Sequence, residues 1–118
     1  MSTQSLAAEL QQMILQGKSM EAFEKFYDDN VVMQEASGEL RKGKDANRKF
    51  EQEFTGSIQE FHGAQIKSSA MNEQTGVAFA EWWMDVTFKG GQRVQMEEVS
   101  VQHWKNGKVI FERFYYKP

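Results

Sequence analysis

Apolar residues recur at helical spacing in the first half of the chain, and this pattern predicts three helices. In the first, apolar positions run from Leu6 to Ile14, and Gly17 follows where a helix commonly ends. A second, shorter helix is expected after Ser19, which can cap it, and Asp28 lies where it breaks. A third is expected to be capped by Asp45, to carry Phe50 and Phe54 on one face and to stop near Gly56.

The remaining pattern alternates with a period of two and predicts strands. A first strand is expected at 31–35, and four longer strands are expected near 58–71, 77–88, 92–104 and 108–116. Ser37-Gly38 and Lys42-Gly43-Lys44 are expected to be turns. Short, glycine-bearing turns between long strands predict an antiparallel meander.

The pairing of strands decides which side chains share a face of the sheet. Three-residue loops that end on Gly91 and Gly107 would pair Met84 with Met96, Trp82 with Glu98, Ser100 with Glu112 and Glu98 with Phe114. The face toward the helices would then hold Ala78, Ala80, Trp82, Met84, Val86, Val94, Met96, Trp104, Ile110, Phe114 and Tyr116, with Glu98, Ser100, Gln102 and Glu112. The other face would hold Phe79, Glu81, Trp83, Asp85, Glu97, Val99, Val101, His103, Phe111, Arg113 and Tyr115, a mixture typical of a subunit interface.

Composition and charge narrow the function classes. A chain of 118 residues with 40% hydrophobic residues is expected to be one folded domain, 1–118. The net charge of -3 and scattered basic residues argue against a nucleic-acid partner. Zero cysteines and two separated histidines, His62 and His103, argue against a metal site. Apolar runs are too short for a membrane span and the first residues start no secretory signal, so we expect a cytoplasmic protein.

Several segments, taken in order, resemble one family. They are Phe26–Met33 (FYDDNVVM), Gly43–Ala46 (GKDA), Trp104–Val109 (WKNGKV) and Glu112–Tyr116 (ERFYY). Together they are similar to the SnoaL-like branch of the nuclear-transport-factor-2-like (NTF2-like) superfamily. The resemblance implies an α+β cone in which N-terminal helices pack on a long curved antiparallel sheet, with a pocket at the wide end and commonly a dimer. It does not name a reaction, because this fold hosts isomerases, cyclases, epoxide hydrolases and members without known chemistry.

Carried over residue by residue, the resemblance leaves neither known catalytic set intact. The carboxylate base of the ketosteroid-isomerase relatives matches Gln34, next to Glu35, and an amide cannot abstract a proton. The second isomerase acid matches Ser100, a weaker donor. The acidic member of the pattern typical of limonene epoxide hydrolases matches Phe114.

The predicted register leaves Glu98 and Glu112 facing inward on neighbouring strands, diagonal to each other with Ser100 between them. Two carboxyl groups held close in an apolar pocket cannot both ionise easily, so one would stay protonated, and the pair could act as acid and base with Tyr116 as a further donor. The pocket would be lined by Gln34, Trp82, Met84, Met96, Ser100, Gln102, Trp104, Phe114 and Tyr116. A purely structural role for both glutamates is the favoured alternative.

Two functions from different classes are therefore carried forward. The first is binding of a small, largely apolar, cyclic or aromatic molecule, with isomerase-like or cyclase-like proton transfer that needs no cofactor, in a homodimer formed through the outer sheet face. The second is a non-catalytic module for dimerisation or protein interaction. A cavity of roughly 300 Å³ or more beside Glu98 would favour the first function.

Overall fold

A computed structural model describes residues 2–117 as three helices and six strands. The helices are α1 (Thr3–Leu15), α2 (Ser19–Phe26) and α3 (Lys44–Gly56). The strands are β1 (Tyr27–Gln34), β2 (Leu40–Lys42), β3 (Ile58–Asn72), β4 (Val77–Phe88), β5 (Arg93–Lys105) and β6 (Lys108–Tyr115). The predicted α+β class is confirmed.

The helices lie where their apolar stripes predict them, but two of the predicted caps are wrong. Ser19 is the first residue of α2 rather than its cap, and Asp45 lies inside the first turn of α3, which follows Gly43. Asp45 is still favourable there because a helix N-terminus attracts negative charge. Gly43 has a φ of 92°, a backbone conformation that suits glycine.

The sheet contains the predicted meander and one parallel pair that the pattern did not indicate. Its strand order is β2-β1-β6-β5-β4-β3, and β3 to β6 pair antiparallel in sequence order. The parallel pair joins β1 to β6, with Met33 opposite Glu112. Strand β2, which was not predicted, lies between the two predicted turns, overlaps the second at Lys42 and extends the sheet beyond β1.

One of the two predicted registers is confirmed and the other is wrong. Between β4 and β5, Met84 pairs with Met96 and Trp82 with Glu98, as expected. Between β5 and β6, Lys105 pairs with Lys108 across a two-residue turn, and the register shifts again between His103 and Trp104.

The two-residue turn and the register shift at His103 each displace the pairing of β5 with β6 by one residue. Glu112 therefore lies opposite Gln102 instead of Ser100. Because the total displacement is even, Glu112 stays on the face predicted for it. Ile110 falls at the irregularity and is 37% exposed, whereas Val109 takes the buried position. The prediction that Ile110 faces the helices is therefore wrong.

The core lies between the helices and the face of the sheet that we call the concave face, the one carrying Trp82, Glu98 and Glu112. Its buried cluster joins α1 and α2 to the sheet through Leu10, Phe23, Phe26, Tyr27, Val31, Met33, Ala78, Trp104 and Val109. Helix α3 packs on β1 and β2 farther along the sheet. None of the helices formed by residues 2–117 is long and apolar enough to cross a membrane.

Candidate functional site

The inner end of the concave face holds a closed polar network around Glu112. Its carboxylate accepts a hydrogen bond from the Tyr27 hydroxyl and another from Gln102 Nε2 at 2.9 Å. Gln102 Oε1 accepts a hydrogen bond from Trp104 Nε1 at 3.1 Å. Burial raises the pKa of Glu112 to about 8, although the hydrogen bonds from Tyr27 and Gln102 act in the opposite direction. These side chains are all buried and satisfy one another, which is the arrangement of a structural network.

Glu98 lies four residues before Gln102 on β5, directly opposite Trp82. The indole of Trp82 is held in place because its Nε1 donates to Ser100 Oγ at 3.1 Å. Burial, followed by the negative charges of Glu51 and Glu35, raises the pKa of Glu98 to about 7. In the described part of the chain, no side chain forms a hydrogen bond or ion pair with Glu98. A carboxyl group near half ionisation at neutral pH is suited to acid and base work.

Glu51, on α3, is one of the site residues that the sequence analysis missed. Burial raises its pKa to about 7, the positive charge of Arg41 opposes this shift, and the charge of Glu35 adds to it. Its charge also raises the pKa of Glu98, Glu112 and Tyr27, so its carboxylate faces the interior that they share. Helical spacing could have revealed it, since Glu51 shares the face of α3 that carries Phe54 and the buried Asn47.

A second cluster of polar side chains lies beside the end of β1. Arg41 Nη2 pairs with Glu35 Oε2 at 2.7 Å, and Arg41 Nε donates to Asn47 Oδ1 at 3.1 Å. The guanidinium of Arg41 also lies 3.5 Å from the centre of the Phe50 ring. Tyr116, just beyond β6, donates its hydroxyl to Glu35 Oε1 at 2.5 Å, and this bond and burial raise the pKa of Tyr116 to about 12.

The predicted lining residues divide into three groups. Trp82, Ser100, Met84 and Met96 share the concave face with Glu98, whereas Gln102, Trp104 and Phe114 belong to the inner network or pack on the core. Tyr116 is tied to Glu35.

Gln34 lies on the opposite face of β1, where its Oε1 accepts from Arg113 Nη1 at 3.2 Å. Alternate residues of a strand share a face, and Met33 is buried on the inner one. Glu35, two residues after Met33, therefore takes the inner position that was expected for Gln34.

The expected close pairing of Glu98 with Glu112 is not formed. Glu112 lies opposite Gln102, so the row of Ser100 and Phe114 separates it from Glu98. From Glu98 to Gln102, the residue opposite Glu112, is four residues along β5, or roughly 13 Å at the usual strand rise. The charge of Glu98 is accordingly the smallest of the influences on the pKa of Glu112. The negative charges of Glu51 and Glu35 both raise the pKa of Glu98, and the charge of Glu35 also raises the pKa of Glu51.

Two surface grooves lie away from these carboxylates. One of about 580 Å³ is lined by Met20, Glu21, Glu24, Lys25 and Gln52, and one of about 430 Å³ lies around Lys42–Arg48. Neither groove is lined by Glu98 or by any of the predicted lining residues, so neither is the cavity beside Glu98 that would favour ligand binding. Within residues 2–117, no three carboxylate or imidazole groups are arranged to hold a metal ion.

Known proteins share this sequence pattern and this fold. The model of the SnoaL-like domain matches residues 1–116. A proposed SnoaL-like polyketide cyclase from Mesorhizobium loti is 32% identical, with a TM-score of 0.85 over 98% of this chain and 100% of that one.

Two further solved structures match at lower identity. A proposed isomerase from Bacillus subtilis is 19% identical, with a TM-score of 0.83 over 100% of this chain and 91% of that one. A proposed polyketide cyclase from Pseudomonas putida is 18% identical, with a TM-score of 0.80 over 99% and 92% of the two chains. No curated protein matches.

Proposed function

The chain belongs to the SnoaL-like domain family, and on that premise we propose that it binds a small, largely apolar, cyclic or aromatic molecule beside Glu98 and moves a proton on it. The observation that carries this proposal is the Glu98 carboxylate itself. It lies on the concave face against Trp82, has no partner among residues 2–117, and has a pKa of about 7. A general base is most effective when its pKa is near the working pH.

The proposed step is proton abstraction from a carbon next to a carbonyl group. The Glu98 carboxylate takes the C–H proton, and the electron pair of that bond moves through the carbon to the carbonyl oxygen, giving an enolate. The hydroxyl of Tyr116, now bonded to Glu35, is the proposed donor to the enolate oxygen. In an isomerisation, protonated Glu98 returns the proton to the far carbon of a conjugated dienolate, and the first carbonyl re-forms. In a cyclisation, the enolate carbon bonds to a second carbonyl carbon while the first carbonyl re-forms, and the oxygen of the second carbonyl takes the proton from Glu98.

We assign a structural role to Glu112 instead of the catalytic one. Its oxygens already accept from Tyr27 and Gln102, and its side chain is sealed in the core. The names of the similar structures, cyclase and isomerase, fit carbon-acid chemistry of the kind proposed for Glu98.

Deuterium exchange into 2-tetralone tests this function without knowledge of the natural ligand. In D₂O near pH 7, we expect the protein to accelerate exchange next to the carbonyl, followed by NMR, and Glu98→Gln to lower that rate roughly 10²- to 10⁴-fold. Glu97→Gln is the matched control, because Glu97 is the next residue and pairs with Lys67 on the exposed side of the sheet. Equal rates for wild type and Glu98→Gln, with both variants folded, would remove Glu98 from the chemistry.

The outer face of the sheet supports a second proposal, homodimerisation. We call the outer face the side that carries Phe79, Val101 and Tyr115. Phe79 is 43% exposed and Tyr115 is 49% exposed, and such a cluster of uncovered apolar residues is typical of an interface. A non-catalytic interaction module would bind its partner protein through this same face. The outer face can therefore serve homodimerisation or binding of another protein.

A measurement of mass in solution tests the dimer. Light scattering is expected to give twice the chain mass of 13.7 kDa for wild type and a single chain mass for Phe79→Asp. Leu40→Asp, at an apolar residue that is 48% exposed on β2, should leave the mass unchanged. A wild-type monomer at 100 μM concentration would contradict the dimer and favour a surface kept free for another protein.

A further inference from the structure

We infer that two copies of this chain pack outer face to outer face in one particular orientation, in which Arg113 of each copy forms an ion pair with Glu81 of the other. The inference rests on the homodimer of the proposed function and adds its geometry. It does not depend on the chemistry proposed for Glu98.

Two neighbouring rows of residues cross the outer face from β4 through β5 to β6. The first row is Phe79, Val101 and Arg113, and the second row is Glu81, Val99 and Tyr115. We call the two rows together the outer patch. Apolar and aromatic side chains run along one diagonal of the outer patch, from Phe79 to Tyr115. The two charges, of opposite sign, occupy the two corners off this diagonal.

Arg113 and Glu81 are too far apart to pair within one copy. Two strand spacings across the sheet and two residues along it separate their Cα atoms by roughly 12 Å. Among residues 2–117, their hydrogen-bond partners are neutral: Glu81 Oε1 accepts from Ser68 Oγ at 3.0 Å, and Arg113 Nη1 donates to Gln34 Oε1 at 3.2 Å. Each charge therefore lacks an ionic partner in the isolated chain.

The other carboxylates on the outer side of β4 and β5 already have cationic partners. Glu97 pairs with Lys67 at 2.6 Å, and Asp85 pairs with Arg93 at 2.8 Å. Glu81 is therefore the carboxylate of these two strands that is left for a cation from outside the chain.

The guanidinium of Arg113 is held in position beside this apolar diagonal. Its central carbon lies 4.8 Å from the centre of the Tyr115 ring, and its Nη1 is fixed by Gln34. Within residues 2–117, Nε is sealed without a partner and Nη2 forms no hydrogen bond. A guanidinium fixed in this way is suited to a carboxylate, because its planar donors match the two carboxylate oxygens.

A two-fold axis along the diagonal from Phe79 to Tyr115 places each charge over its opposite. Rotation about it exchanges the two charged corners, so Arg113 of one copy faces Glu81 of the other, twice. An axis parallel to the strands would instead place Arg113 over Phe79, and an axis across the strands would place it over Tyr115. Charge complementarity therefore selects the diagonal axis.

This orientation agrees with the usual geometry of packed sheets. The diagonal of the outer patch makes the strands of the two copies cross at roughly 70°, close to the orthogonal class of sheet packing. Sheets that pack face to face lie about 10 Å apart, a distance that an arginine and a glutamate from opposite sides span together.

Exchange of charges between copies tests the pairing, with light scattering at 100 μM as the measurement. Arg113→Glu or Glu81→Arg alone sets like charges against each other at both contacts. Each variant is expected to dimerise at least roughly tenfold more weakly than wild type. An equal mixture of the two variants is expected to form a heterodimer, because both of its contacts again join opposite charges.

Two variants on α3 serve as matched controls. Lys49→Glu and Glu53→Arg, both at exposed positions, make the same changes in net charge away from the outer face. Each is expected to dimerise like wild type, which separates the local pairing from a general effect of charge.

The outcomes separate this pairing from the homodimer itself. Single variants that dimerise as tightly as wild type, or a mixture of two folded variants that stays monomeric, would overturn the pairing and leave the homodimer standing. A wild-type monomer would overturn both. Glu81 bonds to Ser68 alone within residues 2–117, so Glu81→Arg is expected to fold. If Arg113→Glu does not fold, undiminished dimerisation of Glu81→Arg still overturns the pairing.

Discussion

The free energy of unfolding is expected to fall as pH rises from about 5 to about 8, and Glu112→Gln is expected to remove much of that fall. Glu112 has a pKa of about 8 in the folded protein. In the unfolded chain a glutamate loses its proton near about 4.3. Between these values the folded state binds more protons than the unfolded state, so stability decreases with increasing pH.

The size of the effect follows from the same difference. At about 1.4 kcal/mol per pKa unit, Glu112 alone accounts for at most about 5 kcal/mol, fully lost above the folded pKa. Glutamine has the shape of the protonated acid, can still accept from Gln102, and cannot ionise. The variant should therefore match wild type within about 1 kcal/mol at pH 5 and be clearly more stable at pH 8.5.

Urea unfolding at pH 5, 6.5 and 8.5 measures this difference. Glu51 and Glu98 also have pKa values raised to about 7, so they give a slope of the same sign that the variant retains. Glu97→Gln, on the exposed side of β5, should follow the wild-type curve. Parallel curves for wild type and Glu112→Gln would show that Glu112 ionises inside the folded protein without cost.

The strands could be predicted from the sequence because alternation of apolar and polar residues decides the register wherever one face is buried. For β4 and β5, the loop length that pairs the apolar Met84 with the apolar Met96 was the correct one. For β5 and β6 the same argument failed at Asn106-Gly107, a pair that favours a two-residue turn with positive φ at both residues, and φ is 53° and 76° here. The irregularity at Ile110 has no signal in the local sequence, because any apolar residue can occupy it.

The sequence predicted which strand residues face the candidate site, but not which helix residues come close to them. Glu98 was placed correctly because its neighbours fix the face of β5. Glu35 was passed over in favour of Gln34, although burial of Val31 and Met33 places Glu35 on the inner side. Glu51 approaches the sheet from α3, and the closeness of a helix residue to a strand residue depends on tertiary packing that the sequence pattern does not specify.

Replacement of Asn47 by alanine is expected to destabilise the protein by roughly 3–5 kcal/mol, since it leaves several buried polar groups unpaired. Asn47 is 0% exposed, and its Nδ2 donates to the backbone oxygens of Gly43 at 2.8 Å and Arg41 at 3.0 Å. Its Oδ1 accepts from Arg41 Nε at 3.1 Å. One side chain therefore fastens the start of α3 to β2 and orients the guanidinium that pairs with Glu35.

Urea unfolding gives the size of this loss, and amide hydrogen exchange gives its location. Exchange should accelerate first in β2 and the first turn of α3, because these segments lose their shared partner. Asn30→Ala, at an exposed asparagine of β1, should change stability by less than about 0.5 kcal/mol. A loss for Asn47→Ala as small as that of Asn30→Ala would mean that water replaces the asparagine. The orientation of Arg41, and through it of Glu35 and Tyr116, would then rest on the ion pair and on the contact with the Phe50 ring.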